Sequence, residues 1–248
     1  LPFTRALAAS GCDTSQLLSG LAVEPALFGD PDGRIPHEVA MQLLDRAVDA
    51  SGDDALGIHA AELLRPGDFD ALEYVARSSG TLRGALEAVG RYIRLMHEAA
   101  TCTLTREENR EVWTLCLPAG HPRAAVEYAL AAVILTGRSV SGRAERPEAV
   151  HVAFPKPSVS GEQERVFGCE VHWDSPRTAL VFASKLLDRS LSHVSPTLSA
   201  ALQRHAEQLL ADLAASRKFS TRVREHVIAS LQIGEPSADE IAKSLKMS

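Results

Sequence analysis

Two histidine–glutamate pairs, His37-Glu38 and His97-Glu98, begin like the helical H-E-x-x-H zinc motif. In that motif a second histidine four residues on shares the metal, and the glutamate serves as general base. Here the fifth positions are Met41 and Thr101, so neither motif is complete. Cys169 and His172 lie three apart but lack further partners, and the histidines as a set are dispersed. No metal site and no cofactor is expected. Asp68, Asp70 and Glu73 gather beside Pro66-Gly67, where acidic residues entering a helix suit its dipole. The chain has no G-x-S-x-G elbow, no P-loop and no G-x-G-x-x-G. It offers no catalytic set and does not read as an enzyme.

Binding is the better-supplied chemistry. Aromatic residues make up 5% of the chain, so each large ring stands out. Tyr92, Trp113, Tyr128 and Trp173 are candidates to line a small-molecule pocket, with Arg91, Arg94 and His97 as polar anchors. Such a pocket is mainly apolar with a few placed polar groups. A basic anchor suits a carboxylate. Each of these residues is also compatible with ordinary packing, and Arg91 to Arg94 with a solvated helix edge. A second chemistry lies at the carboxyl end. Ser237 is a good helix cap with Glu240 three residues on, a capping box. Ile241 and Leu245 share one face beside small Ala242, Lys246-Met247 suits a turn, and Ser248 suits the cap of a following helix. This reads as the first half of a helix-turn-helix, stopping before the helix that would enter a major groove. Backbone N–H groups after Ser237, with Lys243, Lys246 and Ser248, are candidates for contacts to a DNA phosphate backbone.

The elements that position these residues follow from periodicity. Pro36 opens a helix with Val39, Leu43 and Ala47 on one face; Ser51 to Asp54 ends it, and Leu56 to Leu63 forms the next. Leu72 to Ala76 is helical, and Thr81 caps Leu82 to His97. The texture changes at Ala99. Thr101–Thr105 and Val112–Leu117 read as a hairpin around Arg106 to Arg110. Arg123 to Thr136 is an apolar helix, and Val150–Phe154, Val171–Trp173 and Thr178–Ala183 are strands. Beyond Pro196 a helix carries the stripe Leu198, Leu202, Ala206, Leu209 and Leu213, a candidate dimer seam. His205 and Asp212 interrupt a strict heptad. Ala215 to Lys218 reads as a polar exit and linker, followed by a helix from Thr221 to Leu231.

The fold class is therefore α+β: a helical N-terminal segment plus a small mixed sheet, then a linker helix and the start of an all-α helix-turn-helix domain. The chain has 248 residues and a net charge of −6, which argues against DNA contact by the body. From Arg217 onward basic residues outnumber acidic ones, so the tail is slightly positive. The four cysteines contain no C-x-x-C pair; Cys102 and Cys116 could meet across the hairpin, but a disulfide is not expected. No run approaches the roughly 20 apolar residues of a membrane span. The chain lacks an initiator Met and a signal-peptide layout, and it is expected to be cytoplasmic and trimmed at both ends.

Several stretches in order resemble one family. They include Arg34-Ile-Pro36, Gly52-Asp-Asp54, Leu56-Gly57, Pro66-Gly-Asp-Phe69, Ser78-Ser79, Thr81-Leu82, Ala85-Leu86 and Arg91-Tyr92. Further on come Phe167-Gly-Cys-Glu-Val171, Ala179-Leu-Val-Phe182, Leu186-Leu187-Asp188 and Leu191, then Arg222-Val-Arg-Glu, Leu231, Gly234-x-Pro236 and Ala242-x-x-Leu-x-Met-Ser248. Together they resemble the AraC/XylS bacterial transcription regulators with an arabinose-binding-like N-terminal domain. The resemblance implies a dimeric regulator that senses a small-molecule effector and binds operator DNA through two helix-turn-helix units, of which only the beginning is present here; the divisions it implies are 1–190 for effector binding or oligomerisation, 191–218 for the linker and possible dimerisation helix, and 219–248 for the truncated DNA-binding start. It does not imply arabinose as the ligand. The alternative reading is a ligand-independent oligomerisation scaffold.

Overall fold

Proline and threonine set the helix starts in the computed structural model, which describes residues 2–9, 17–19, 34–158, 160–191 and 195–231. The helices before the sheet are α1 (Pro2–Ala9), α2 (His37–Ser51), α3 (Leu56–Glu62), α4 (Asp70–Arg77) and α5 (Leu82–Tyr92). Pro36 precedes α2 in an extended conformation. The Thr81 hydroxyl accepts the Gly84 N–H at 3.1 Å, capping α5. A 3₁₀ turn, Ile93–Leu95, carries the chain out of α5.

The sheet is built from β1 (Thr101–Glu107), β2 (Arg110–Cys116), β3 (Ala149–His151), β4 (Glu170–His172) and β5 (Thr178–Ala183), in the order β1-β2-β5-β3-β4. Only β3 and β4 are parallel, so the sheet is mixed. Pairing of β1 with β2 runs to Glu107 opposite Arg110, which shortens the expected turn to Glu108-Asn109. Cys102 stands opposite Leu115 and faces the core, whereas Cys116 is exposed opposite Thr101. Alternation along the pleat therefore separates the two thiols, and both are free.

Helices α6 (Arg123–Ser141) and α7 (Gly161–Phe167) alternate with the strands, and short α8 (Ser184–Leu187) follows β5. The main core joins Val126, Leu130 and Ile134 of α6 to Trp113 and Leu115 of β2 and Leu180 and Phe182 of β5. Fully burying a side chain such as Leu130 or Leu180 contributes about 2 kcal/mol. By length and composition α6 is apolar enough to cross a membrane; here Ala124, Val126, Leu130, Ala131, Ala132 and Ile134 bury it in the core. Helix α3 lies against α6 at Gly57, where a Cβ would sit 2.1 Å from the Ala124 carbonyl oxygen. Only glycine allows that approach.

The last described element is one continuous helix, α9 (Pro196–Leu231), 36 residues long. The Leu198 N–H donates to the Ser195 hydroxyl at 3.4 Å, as its expected cap. The linker expected at 215–218 is absent: the helix runs straight through it. Ala, Arg and Lys are good helix formers, and polarity without Gly or Pro does not break a helix.

Candidate functional site

Helices α2, α5 and α6 and the core face of the sheet surround a cavity of about 490 Å³, within the size range of small-molecule sites. Its walls are mostly apolar, with Leu43, Leu86, Val89, Trp113, Tyr128 and Ile134 among them. Helix α5 presents this face because Thr81 fixes its start, so Leu82, Leu86, Val89 and Ile93 recur at helical spacing along the wall. The indole N–H of Trp113 is buried without an acceptor among the described residues.

Charged groups in the lining are already matched. Asp68 pairs with Arg5, Glu73 with Arg77 at 2.7 Å, and Glu145 with Arg189 at 2.7 Å. Burial alone would raise the Asp68 pKa, but hydrogen bonds from Arg5 and the Arg65 N–H hold it below the usual carboxylate value. Behind the wall, Glu127 of α6 is fully buried. Its carboxylate accepts from Gln163 at 2.9 Å and from Arg123 at 3.4 Å. Burial prevails over these contacts and pushes its pKa up to about 7.

His97 and His121 also line the cavity. Their Nε2 atoms are 3.2 Å apart, and the His121 Nδ1 lies 2.7 Å from the Pro118 carbonyl oxygen. A carbonyl only accepts, so His121 Nδ1 carries the proton and Nε2 holds a lone pair. His37, the first residue of α2, completes the group, with ring centroids 5.2 Å from His97 and 4.6 Å from His121. Burial, reinforced for His97 by the neighbouring rings, holds the pKa of both His97 and His121 below the ordinary histidine value.

The residues singled out from sequence divide between two places. His97, Trp113 and Tyr128 line the cavity. Arg91 and Tyr92 instead line an open groove between α5 and α9. There the Tyr92 hydroxyl donates to Glu207 at 2.6 Å and the Arg91 guanidinium pairs with the same carboxylate at 2.7 Å. The reason is helical phase: Tyr92 lies with Ala88 on the α5 face turned toward α9, away from the cavity. Burial and the bond to Glu207 push the Tyr92 phenol up to about 12. Arg94 is exposed, and Trp173 is packed against the main core outside the cavity lining.

Two members of the proposed seam, Leu202 and Ala206, pack on this chain's own Leu72, Val75, Ala88 and Tyr92, joined by Leu210. Leu198 is exposed, and Leu209 and Leu213 are half-buried. Ser237, Lys243, Lys246 and Ser248 lie outside the described residues. Sequence reasoning missed His37 and His121 as partners of His97. The broken H-E-x-x-H starts at 37 and 97 were a signal, but the fold joins them to each other instead of completing either motif.

Comparison with known proteins agrees with this architecture. Residues 11–191 match the family described as the N-terminal arabinose-binding domain of AraC transcription regulators. The ornithine utilization regulator of Pseudomonas aeruginosa is 26% identical over 243 residues, spanning 96% of this chain and 71% of that protein. The crystal structure of the transcriptional regulator CdpR from Pseudomonas aeruginosa superposes with a TM-score of 0.59 at 16% identity. It covers 100% of this chain and 74% of the other. At that identity the likeness shows the fold.

Proposed function

The chain belongs to the AraC family of transcription regulators, and from that premise we propose that it is an effector-gated regulator whose ligand occupies the cavity between α5, α6 and the sheet. The largely apolar, half-open cavity of about 490 Å³ carries this reading. A ligand of matching chemistry has an apolar body and one acidic head group. The ornithine utilization regulator is named for a different kind of molecule. A free diamino acid fits this lining poorly, because Asp68, Glu73 and Glu145 already face arginines. His97, Trp113 and Tyr128 are the proposed contacts.

Leu72, Val89 and Ile93 line the cavity and also belong to the cluster that seats α9. A ligand that prefers one packing of this shared wall would therefore shift the seating of α9, the differential binding that any population shift requires. DNA binding enters the reading through family membership, with Ser237, Lys243, Lys246 and Ser248 as backbone contacts, in the cytoplasm. A homodimer is also proposed; Leu198, Leu209 and Leu213, which lie outside the cluster seating α9, are its contacts.

The test is thermal denaturation with a panel of medium-chain carboxylates. A ligand in this cavity raises Tm, and the rise grows with the logarithm of ligand concentration above Kd; Ala129→Phe, which fills the lining, removes the rise. If no apolar carboxylate shifts Tm, or if Ala129→Phe leaves the shift intact, the cavity is not the effector site, and the scaffold reading gains.

A further inference from the structure

We propose that His37, His97 and His121 form a binding site for one divalent transition-metal ion, of the zinc class, at the wall of the cavity. The three side chains come from distant points: the start of α2, the exit from the 3₁₀ turn, and the loop before α6. One ring nitrogen from each lies within 4.8 Å of the other two. Zinc–imidazole bonds of about 2.0–2.1 Å in a tetrahedron place ligand nitrogens about 3.3 Å apart. The 3.2 Å between the Nε2 atoms of His97 and His121 is already one such edge. The other two edges, from His37, are no longer than 4.8 Å and must shorten by up to about 1.5 Å on binding.

The surroundings fit a metal ligand better than an ordinary packed ring. The His121 Nδ1–H is held by the Pro118 carbonyl, the outer contact that fixes the tautomer of metal-bound histidines. The His37 Nδ1 is buried without a hydrogen-bond partner among the described residues, which leaves it a donor atom for a metal, whereas the His97 Nδ1 lacks the outer acceptor that His121 has. The competing arrangement is a His97 N–H donating to the His121 lone pair, which leaves His37 without a role. A second group, His59, Glu62 and Glu162, has similar spacing but a different charge state. There Arg165 pairs with both glutamates, and His59 bridges Asp53 and Glu162 at 2.7 and 3.2 Å. Those ligands are already neutralised.

Imidazole nitrogens select zinc, cobalt, nickel or copper over magnesium or calcium. Three protein ligands leave a fourth position for an exogenous donor. Because His97 and His121 line the cavity, a carboxylate held there is the natural fourth ligand. This last clause rests on the effector reading above; the metal site itself does not.

Titration of the chelator-treated chain with Co²⁺ alone tests the site without any effector. The expected result is one equivalent bound, with intense visible bands of a tetrahedral centre that Zn²⁺ abolishes. His97→Ala and His121→Ala each weaken binding at least tenfold, and His59→Ala leaves it unchanged. His37→Gln, at the half-buried start of α2 and outside the cavity lining, serves if a cavity variant fails to fold by circular dichroism. Absence of tetrahedral bands, or Co²⁺ binding that survives in the folded histidine variants, overturns the proposal. Octanoate added to the cobalt form then probes the fourth position: a spectral change supports carboxylate ligation. A flat response removes that clause alone and leaves the metal site standing.

Discussion

Helix α5 has two working faces, and the concavities on either side of it differ in kind. One is the less open, mostly apolar cavity, walled by Leu82, Leu86 and aromatic rings, where the charges are paired off. The other is the open groove toward α9, where Arg91, Tyr92 and Glu207 meet near solvent. The groove holds the side chains that look most like ligand anchors in a sequence, and it spends them on holding a helix. The cavity holds few such groups, and its polar ones are histidines drawn from separate segments. Polarity in a sequence thus marks where two elements are fastened as readily as where a ligand is held.

That contrast can be cut at its strongest point. Ala206 is completely buried between Leu72, Val75, Ala88 and Tyr92. Ala206→Asp places an unpaired carboxylate there and should weaken the seating of α9 by about 3 kcal/mol or more. Amide exchange should accelerate along residues 200–213 while α6 stays protected. Equal acceleration in α6 would mean that groove and cavity are one cooperative unit.

On the cavity side, Glu127 gives a pH test. Its folded pKa of about 7 lies above the ordinary 4.5, so the folded chain keeps a proton that the unfolded chain releases. The sign follows: stability falls as pH rises from about 4.5 to 7, and the full penalty persists above 7. Glu127→Gln removes this dependence. At pH 8 it should be more stable than the parent by about 3 kcal/mol, with little difference at pH 4. Denaturant midpoints across that range measure it, and parallel pH profiles would refute the assignment.

The smallest effects belong to the groove. Tyr92→Phe removes one hydrogen bond to a charged acceptor and should cost about 1 kcal/mol. Arg91 is 66% exposed, so Arg91→Ala should cost less than about 0.5 kcal/mol, and less still in high salt. Chemical denaturation of the two variants ranks them; a larger loss from Arg91 would make the groove a charge-driven joint.

Much of this arrangement was legible in residue order. Thr81 and Pro36 marked helix starts, the hairpin was placed by its alternation, and five strands followed a helical segment as expected. What escaped has physical causes. Leu86 and Tyr92 both belong to α5 but lie about 120° apart around it, so the wall residue and the sequence-picked anchor face different neighbours. His37, His97 and His121 come together only because tertiary packing joins three segments. The break between two helices expected at 215–218 is not there, because a polar run without Gly or Pro does not stop a helix.

An unbroken α9 has a mechanical meaning. From Ala206, where the helix is gripped, to Leu231 is about 37 Å of rigid rod at 1.5 Å per residue. Tilting that rod by 10° sweeps its far tip through about 6 Å, nearly two base-pair steps. Any change in how Ala206 is seated is thereby carried undiminished to the far tip, which a jointed connection would have absorbed.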